Sequence, residues 1–114
     1  MNRIAPILPV HDLPATLRYS ASLGFTTRAY EGGGYGFATC DGVEIHLGIS
    51  SPTATPAAAY LFVDDAHELA AIWRVAGAVV HPPVDTDWGQ HEGALVDPDG
   101  NVIRFGSATT PTST

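Results

Sequence analysis

The chain has 114 residues, 45% apolar and 15% charged, with twelve acids against five arginines, no lysine, and a net charge of −7 at pH 7. That composition fits one globular domain and excludes a disordered or fibrous chain, while the acidic field repels nucleic acid phosphates and favours cationic small molecules. Cys40 stands alone, so no disulfide can close within one chain, and no apolar run approaches the roughly 20 residues of a membrane span.

After Arg3 the apolar residues are interrupted by Pro6 and Pro9 and form no signal-peptide core, which makes the cytoplasm the expected compartment. Arg3 to Val10 reads as a first strand. Each of its prolines removes a backbone donor, which confines the strand to a sheet edge or an exchanged arm. Asp12 has the chemistry of an N-cap, and Leu13, Leu17 and Leu23 recur at helical spacing up to Gly24, predicting a helix over Leu13 to Leu23. Strands follow over Phe25 to Glu31, Tyr35 to Cys40 and Val43 to Ile49, with Gly32 to Gly34 as one turn and Asp41-Gly42 as a hairpin signal. The triple glycine precedes a strand and not a helix, so it is a turn and not a phosphate cradle.

Ser51 to Pro56 is a polar linker. A strand over Ala59 to Val63 leads to Asp65 as N-cap and a helix through Leu69, Ile72, Trp73 and Ala76 to Gly77, in which Leu69, Ile72 and Trp73 have core spacing. A short strand, Ala78 to Val80, precedes His81 to His91, a proline- and acid-rich insertion too irregular for a ladder. Strands over Gly93 to Asp97 and Val102 to Phe105 flank an Asp99-Gly100 turn, and Ala108 to Thr114 reads as a frayed tail.

The halves repeat one another. Val10, Asp12 and Gly24 recur as Val63, Asp65 and Gly77, and DGVEIHLG from Asp41 returns as DGNVIRFG from Asp99, in the same order. This predicts an α+β domain over residues 1–107, built from a duplicated βαβββ unit, with repeat one at 3–50, repeat two at 57–107 and a tail at 108–114. Two such units curl into half-barrels around a shared cleft, a natural place for a ligand.

A doubled βαβββ unit with V-x-D at each helix start, and Asp97-Pro98-Asp99-Gly100 ahead of the last strand, resembles the vicinal oxygen chelate superfamily. That superfamily includes glyoxalase I, extradiol dioxygenases and the bleomycin resistance proteins. The resemblance implies four metal positions, which fall here on Ala5, His46, Ala58 and Arg104. Methyl groups supply no donor and a guanidinium opposes a cation, so the resemblance implies a member without metal or other cofactor. The segment WGQHEGALVDPDGNVIRF, Trp88 to Phe105, is similar to the C-terminal signature of the bleomycin resistance proteins. These are metal-independent homodimers that sequester cationic glycopeptide antibiotics. Pro6 matches the proline at which their first strand crosses to the partner subunit, and Tyr35, Tyr60 and Trp88 match their groove aromatics.

The expected ligand-binding residues are therefore Tyr35, Phe37, His46, Tyr60, Phe62, Trp88 and Arg104, with no catalytic residue. Phe37 and Phe62 join because they alternate by two with Tyr35 and Tyr60. Arg104 recurs at the repeat position of His46 and is expected to bind a carboxylate or pair with Glu44 or Asp97. Glu31, Asp85, Asp87 and Glu92 flank the expected groove. His11 and His67 read as solvated, while His81 and His91 bracket the insertion and are candidates to meet. The expected partners are a cationic aromatic small molecule and a second copy of the chain, with neither nucleic acid nor membrane. The competing readings are a superfamily enzyme, a lyase, isomerase or dioxygenase gathering a metal through His46 and His91, and an orphan domain whose groove serves a protein or a biosynthetic intermediate.

Overall fold

Strands and helices alternate along the chain in the predicted order. The computed structural model describes residues 1–109. It holds β1 (Ile7–Val10), α1 (Leu13–Ser22), β2 (Thr26–Ala29), β3 (Tyr35–Cys40), β4 (Val43–Ile49), β5 (Ala58–Phe62), α2 (Ala66–Val75), β6 (Val79–Asp85), β7 (Gln90–Val96) and β8 (Val102–Ala108). These form two four-stranded sheets, ordered β1-β4-β3-β2 and β5-β8-β7-β6, an α+β architecture. Two compact units result: Met1–Ala57 with Pro98–Asn101, and Ala58–Asp97 with the strand beginning at Val102.

In the first unit, strand alternation turns Leu8, Val10, Ala38, Ile45 and Leu47 to a buried face, and α1 packs on β2, β3 and β4. Asp12 starts that helix as expected, accepting a hydrogen bond from the amide of Ala15 at 3.0 Å, with Pro14 at the permissive start of the first turn. Asn101, 1% exposed, lies on the turn after β7 yet belongs to this unit. Its side-chain oxygen accepts from the amide of Ala57 and its nitrogen donates to the carbonyl of Pro9, both at 2.8 Å.

In the second unit α2 buries Ala66, Ala70 and Trp73, one stripe at helical spacing. Trp73 meets the buried Phe105 edge to face, ring centroids 5.1 Å apart. Ile72 departs from expectation: it lies off that stripe and is exposed. Gly93 is where Phe105 passes β7, since a Cβ there would stand 2.8 Å from Phe105 Cζ and from the carbonyl oxygen of His81.

The prediction of no ladder in His81 to His91 is overturned. β6 runs on to Asp85 through Pro82 and Pro83, and β7 begins at Gln90. The pairing survives because β6 is the outer strand, bonded on one side only, and a register shift between His81 and Val84 absorbs the prolines. β1 is shorter than predicted, starting at Ile7, but is an edge strand as its prolines require, parallel to β4. β8 extends to Ala108, and the amide of Thr109 donates to the carbonyl of Gly89 at 2.9 Å, so the predicted tail starts too early. Residues 110–114 lie outside the described residues.

Replacing Asn101 by Ala leaves one amide and one carbonyl without their partner. A loss of about 1–3 kcal/mol in urea unfolding is expected, whereas Thr39→Ala on an exposed strand position costs under about 0.5 kcal/mol.

Candidate functional site

Each helix covers one face of its sheet, and period-two alternation puts a distinct residue set on the other. Across the first sheet, Ile7, His46, Phe37 and Arg28 stand in one row by register. The Arg28 guanidinium lies 4.2 Å over the Phe37 ring. Phe37 meets His46 edge to face at 4.9 Å, and Tyr35 packs on both, at 5.6 Å from Phe37 and 5.4 Å from His46. A hydrogen-bond chain runs through this cluster. Tyr35 Oη is 2.8 Å from His46 Nδ1, His46 Nε2 is 2.5 Å from Glu44 Oε2, and the other Glu44 oxygen is 3.8 Å from Arg3 Nη2.

The His46 bond, above all, holds the Glu44 carboxyl below its usual range against the opposing effect of desolvation, with a lesser contribution from the Arg3 charge. Glu44 is therefore an acceptor, so a neutral His46 carries its proton on Nε2 and leaves Nδ1 to accept from the Tyr35 hydroxyl.

On the second sheet, Phe62, Gly106, Glu92 and Val84 form one row, and Tyr60, Arg104, Ala94 and His81 the next. The absent side chain at Gly106 lets Tyr60 lie across β8, because a Cβ there would collide with Tyr60 Oη. The Tyr60 hydroxyl donates to Glu92 Oε1 at 2.9 Å, and Arg104 Nη1 donates to Glu92 Oε2 at 3.3 Å. Burial, then the bond and charge of Glu92, push the Tyr60 phenol up from its ordinary value. Phe62, 76% exposed, packs on Tyr60 with centroids 4.9 Å apart.

The structure thus brings Tyr35, Phe37 and His46 together in the first unit, and Tyr60, Phe62 and Arg104 together in the second. Trp88 stands on the turn between β6 and β7 with its ring 70% exposed. Arg104 takes Glu92 as its partner, correcting the expected pairing with Glu44 or Asp97. Glu92 is two residues along β7 from the cross-strand neighbour Ala94, hence on the same face and within reach. Glu31 and Asp87 are exposed on turns.

His11 is not simply solvated: its Nδ1 lies 2.6 Å from Asp99 Oδ1, which also accepts its backbone amide at 3.1 Å. His81 pairs with Ala94 on the open face and His91 with Ser107 on the α2 face, so the two histidines bracketing the insertion turn to opposite sides. His91 Nδ1 is instead 2.8 Å from Asp85 Oδ1, and its ring is 6.4 Å from that of His67. Beside this pair is a hollow of about 300 Å³ lined by Asp64, Asp65, Asp85, His91, Ser107, Ala108 and Thr109.

The positions that would hold a divalent ion do not fit one. Ala5 and Ala58 offer methyl groups, both ring nitrogens of His46 are engaged by Tyr35 and Glu44, and Arg104 carries a permanent positive charge. Among the described residues no three His, Cys, Asp or Glu side chains gather in a way that holds a metal. Two partnerships were beyond sequence reasoning. Glu44 beside His46 was readable from alternation along one strand, but Arg28 over Phe37 and the passage of Tyr60 across Gly106 need the register between strands.

The family model described as the Glyoxalase/Bleomycin resistance protein/Dioxygenase superfamily matches residues 1–105. Among solved structures, a bleomycin resistance determinant encoded on the transposon Tn5 superposes with a TM-score of 0.85 at 23% identity, covering 96% of this chain and 100% of that one. A bleomycin-binding protein complexed with bleomycin gives 0.83 at 24%, covering 94% and 98%. An antibiotic binding protein from Streptomyces sp. CB03234 gives 0.78 at 26%, covering 96% and 98%. No curated protein matches the chain.

Two outcomes follow from this geometry. Because the Glu44 carboxyl titrates below its unfolded value, its bonds stabilise the fold above the ordinary carboxylate range, and that contribution is lost as pH falls through the depressed value. Glu44→Gln is therefore expected to lower unfolding free energy at about pH 7, with the gap from the parent closing toward about pH 3 in urea titrations. Gly106→Ala is expected to expel Tyr60 from Glu92: in ¹³C-tyrosine NMR its titration returns toward the ordinary phenol value near 10, at about 1–3 kcal/mol of stability.

Proposed function

The chain belongs to the glyoxalase/bleomycin resistance protein/dioxygenase superfamily, and from that premise we propose that it is a small-molecule binding protein that sequesters a flat, cationic aromatic natural product. The observation that carries this reading is the pairing, on each open sheet face, of packed aromatic rings with a hydrogen-bonded acid. Tyr35, Phe37 and His46 stand with Glu44, and Tyr60, Phe62 and Arg104 with Glu92. Exposed Phe62 and Trp88 are costly to leave in water and favour a ligand that covers them. The solved relatives named for bleomycin or antibiotic binding support the same direction.

No nucleophile is required. A good aromatic stack contributes about 0.5–1.5 kcal/mol beyond area burial, and two such contacts with apolar burial reach the roughly −8 to −12 kcal/mol of sub-micromolar binding. The net charge of −7 draws a cation in, acting mainly on association rate and orientation. The protein acts without a metal, since the donors that would hold one are methyl groups, an engaged imidazole and a guanidinium. It works as a homodimer in the cytoplasm.

Isothermal titration with bleomycin and phleomycin, metal-free and copper-loaded, tests the ligand. Micromolar or tighter binding is expected, with Phe62→Ala and Trp88→Ala each weakening it about two- to tenfold at unchanged circular dichroism. No heat at tens of micromolar rejects both drugs. Elemental analysis of the purified protein is expected to show no stoichiometric zinc, iron, nickel or manganese; an equivalent of any of them replaces the binder with a metalloenzyme.

A further inference from the structure

Both open faces end their hydrogen-bond chains on a tyrosine whose single proton is already used. On the first sheet, ionised Glu44 places the proton of a neutral His46 on Nε2, so Nδ1 accepts and Tyr35 donates inward at 2.8 Å. On the second, Glu92 accepts through both oxygens, one from Tyr60 at 2.9 Å and one from Arg104 at 3.3 Å. A phenol has one donor and its oxygen keeps lone pairs. With the donor turned inward, each oxygen meets a ligand only as an acceptor. The two chains are built from different residues, Tyr–His–Glu and Tyr–Glu–Arg, yet in each the tyrosine is the donor.

We infer that Tyr35 and Tyr60 are specificity-determining residues that select aromatic cations carrying N–H or O–H donors over cations of equal ring and charge whose nitrogens are fully alkylated. The inference rests on the binding reading above and sharpens it to a ligand class, amino-heteroarenes and amidinium-like groups. A ligand with only acceptors meets lone pairs at either tyrosine and forfeits a hydrogen bond there. Arg104, its side chain 59% exposed, still offers N–H groups to a ligand acceptor, so a test has to hold ring and charge constant and vary the donors alone.

Aminoacridinium and N-methylacridinium meet that condition: both are flat monocations, and the second has no N–H. Fluorescence titration at about pH 8, where an ordinary imidazole is neutral, is expected to show aminoacridinium binding about three- to tenfold tighter, about one net hydrogen bond. In the Tyr35→Phe, Tyr60→Phe double variant the rings and their stacking remain and the outward acceptors are gone. In the parent protein the side chains of Glu92 and His46 behind them are 10% and 22% exposed. There the ratio of the two affinities is expected to fall to about one. Equal affinity of the two dyes in the parent protein, or a ratio that survives in the double variant, overturns the inference and leaves the binding reading standing. Failure of both dyes to bind the parent at tens of micromolar overturns the binding reading and this inference with it.

Discussion

One ten-residue helix for each four-stranded sheet is the constraint on which the rest of this structure depends. A helix of that length screens a single sheet face, and because side chains alternate, every strand then carries a buried set and an open set. The buried sets are ordinary: Leu, Val, Ile, Ala and one Trp–Phe contact. The open sets are not, since they place Tyr, Phe, His, Glu and Arg where a half-solvated surface would be well served by Thr and Lys. Their polar atoms are bonded in chains, and rings fill the gaps between them.

The two halves reach that end by different routes, and the register shows how the duplicated unit diverged. His46 is opposite Ile7 in one sheet, and Arg104 is opposite Tyr60 in the other. Tyr35 is opposite Gly48, while Glu92 is opposite Gly106. The aromatic ring has moved from β3 to β5 between the halves, and the acid from β4 to β7. What persists is a glycine in the last strand of each half beside a tyrosine, Gly48 by Tyr35 and Gly106 by Tyr60, and only at Gly106 would a side chain collide with that tyrosine. Each sheet carries rings, an acceptor and a cation, and different strands supply them in the two halves.

Much of the fold was legible because periodicity and turn chemistry act locally. Asp12 and Asp65 cap helices where their side chains can reach free amides, and Asp41-Gly42 turns a hairpin where two positive φ angles are needed. The misreadings share one cause, which is that partners on neighbouring strands decide. Pro82 and Pro83 argue against a strand by themselves, but an outer strand needs its donors on one side only. Arg104 found Glu92 and not Glu44 or Asp97 because cross-strand offset sets reach, and no spacing along the chain encodes that offset. The candidate residues were legible as types on faces. The bonds between them were not, and the direction of a hydrogen-bond chain depends on which acid stays ionised, a property of the folded neighbourhood.

The prolines have one more effect. β1 and β6 are boundary strands of their sheets, and each carries imino acids, Pro9 in one and the Pro82-Pro83 pair in the other. A strand arriving from another molecule finds amide hydrogens missing there and cannot continue the ladder, so neither sheet can be lengthened from those sides into a fibre. Templated growth between copies is left with β2 and β5, short strands of four and five residues, and a protein with two aromatic faces is thereby kept from polymerising through its backbone.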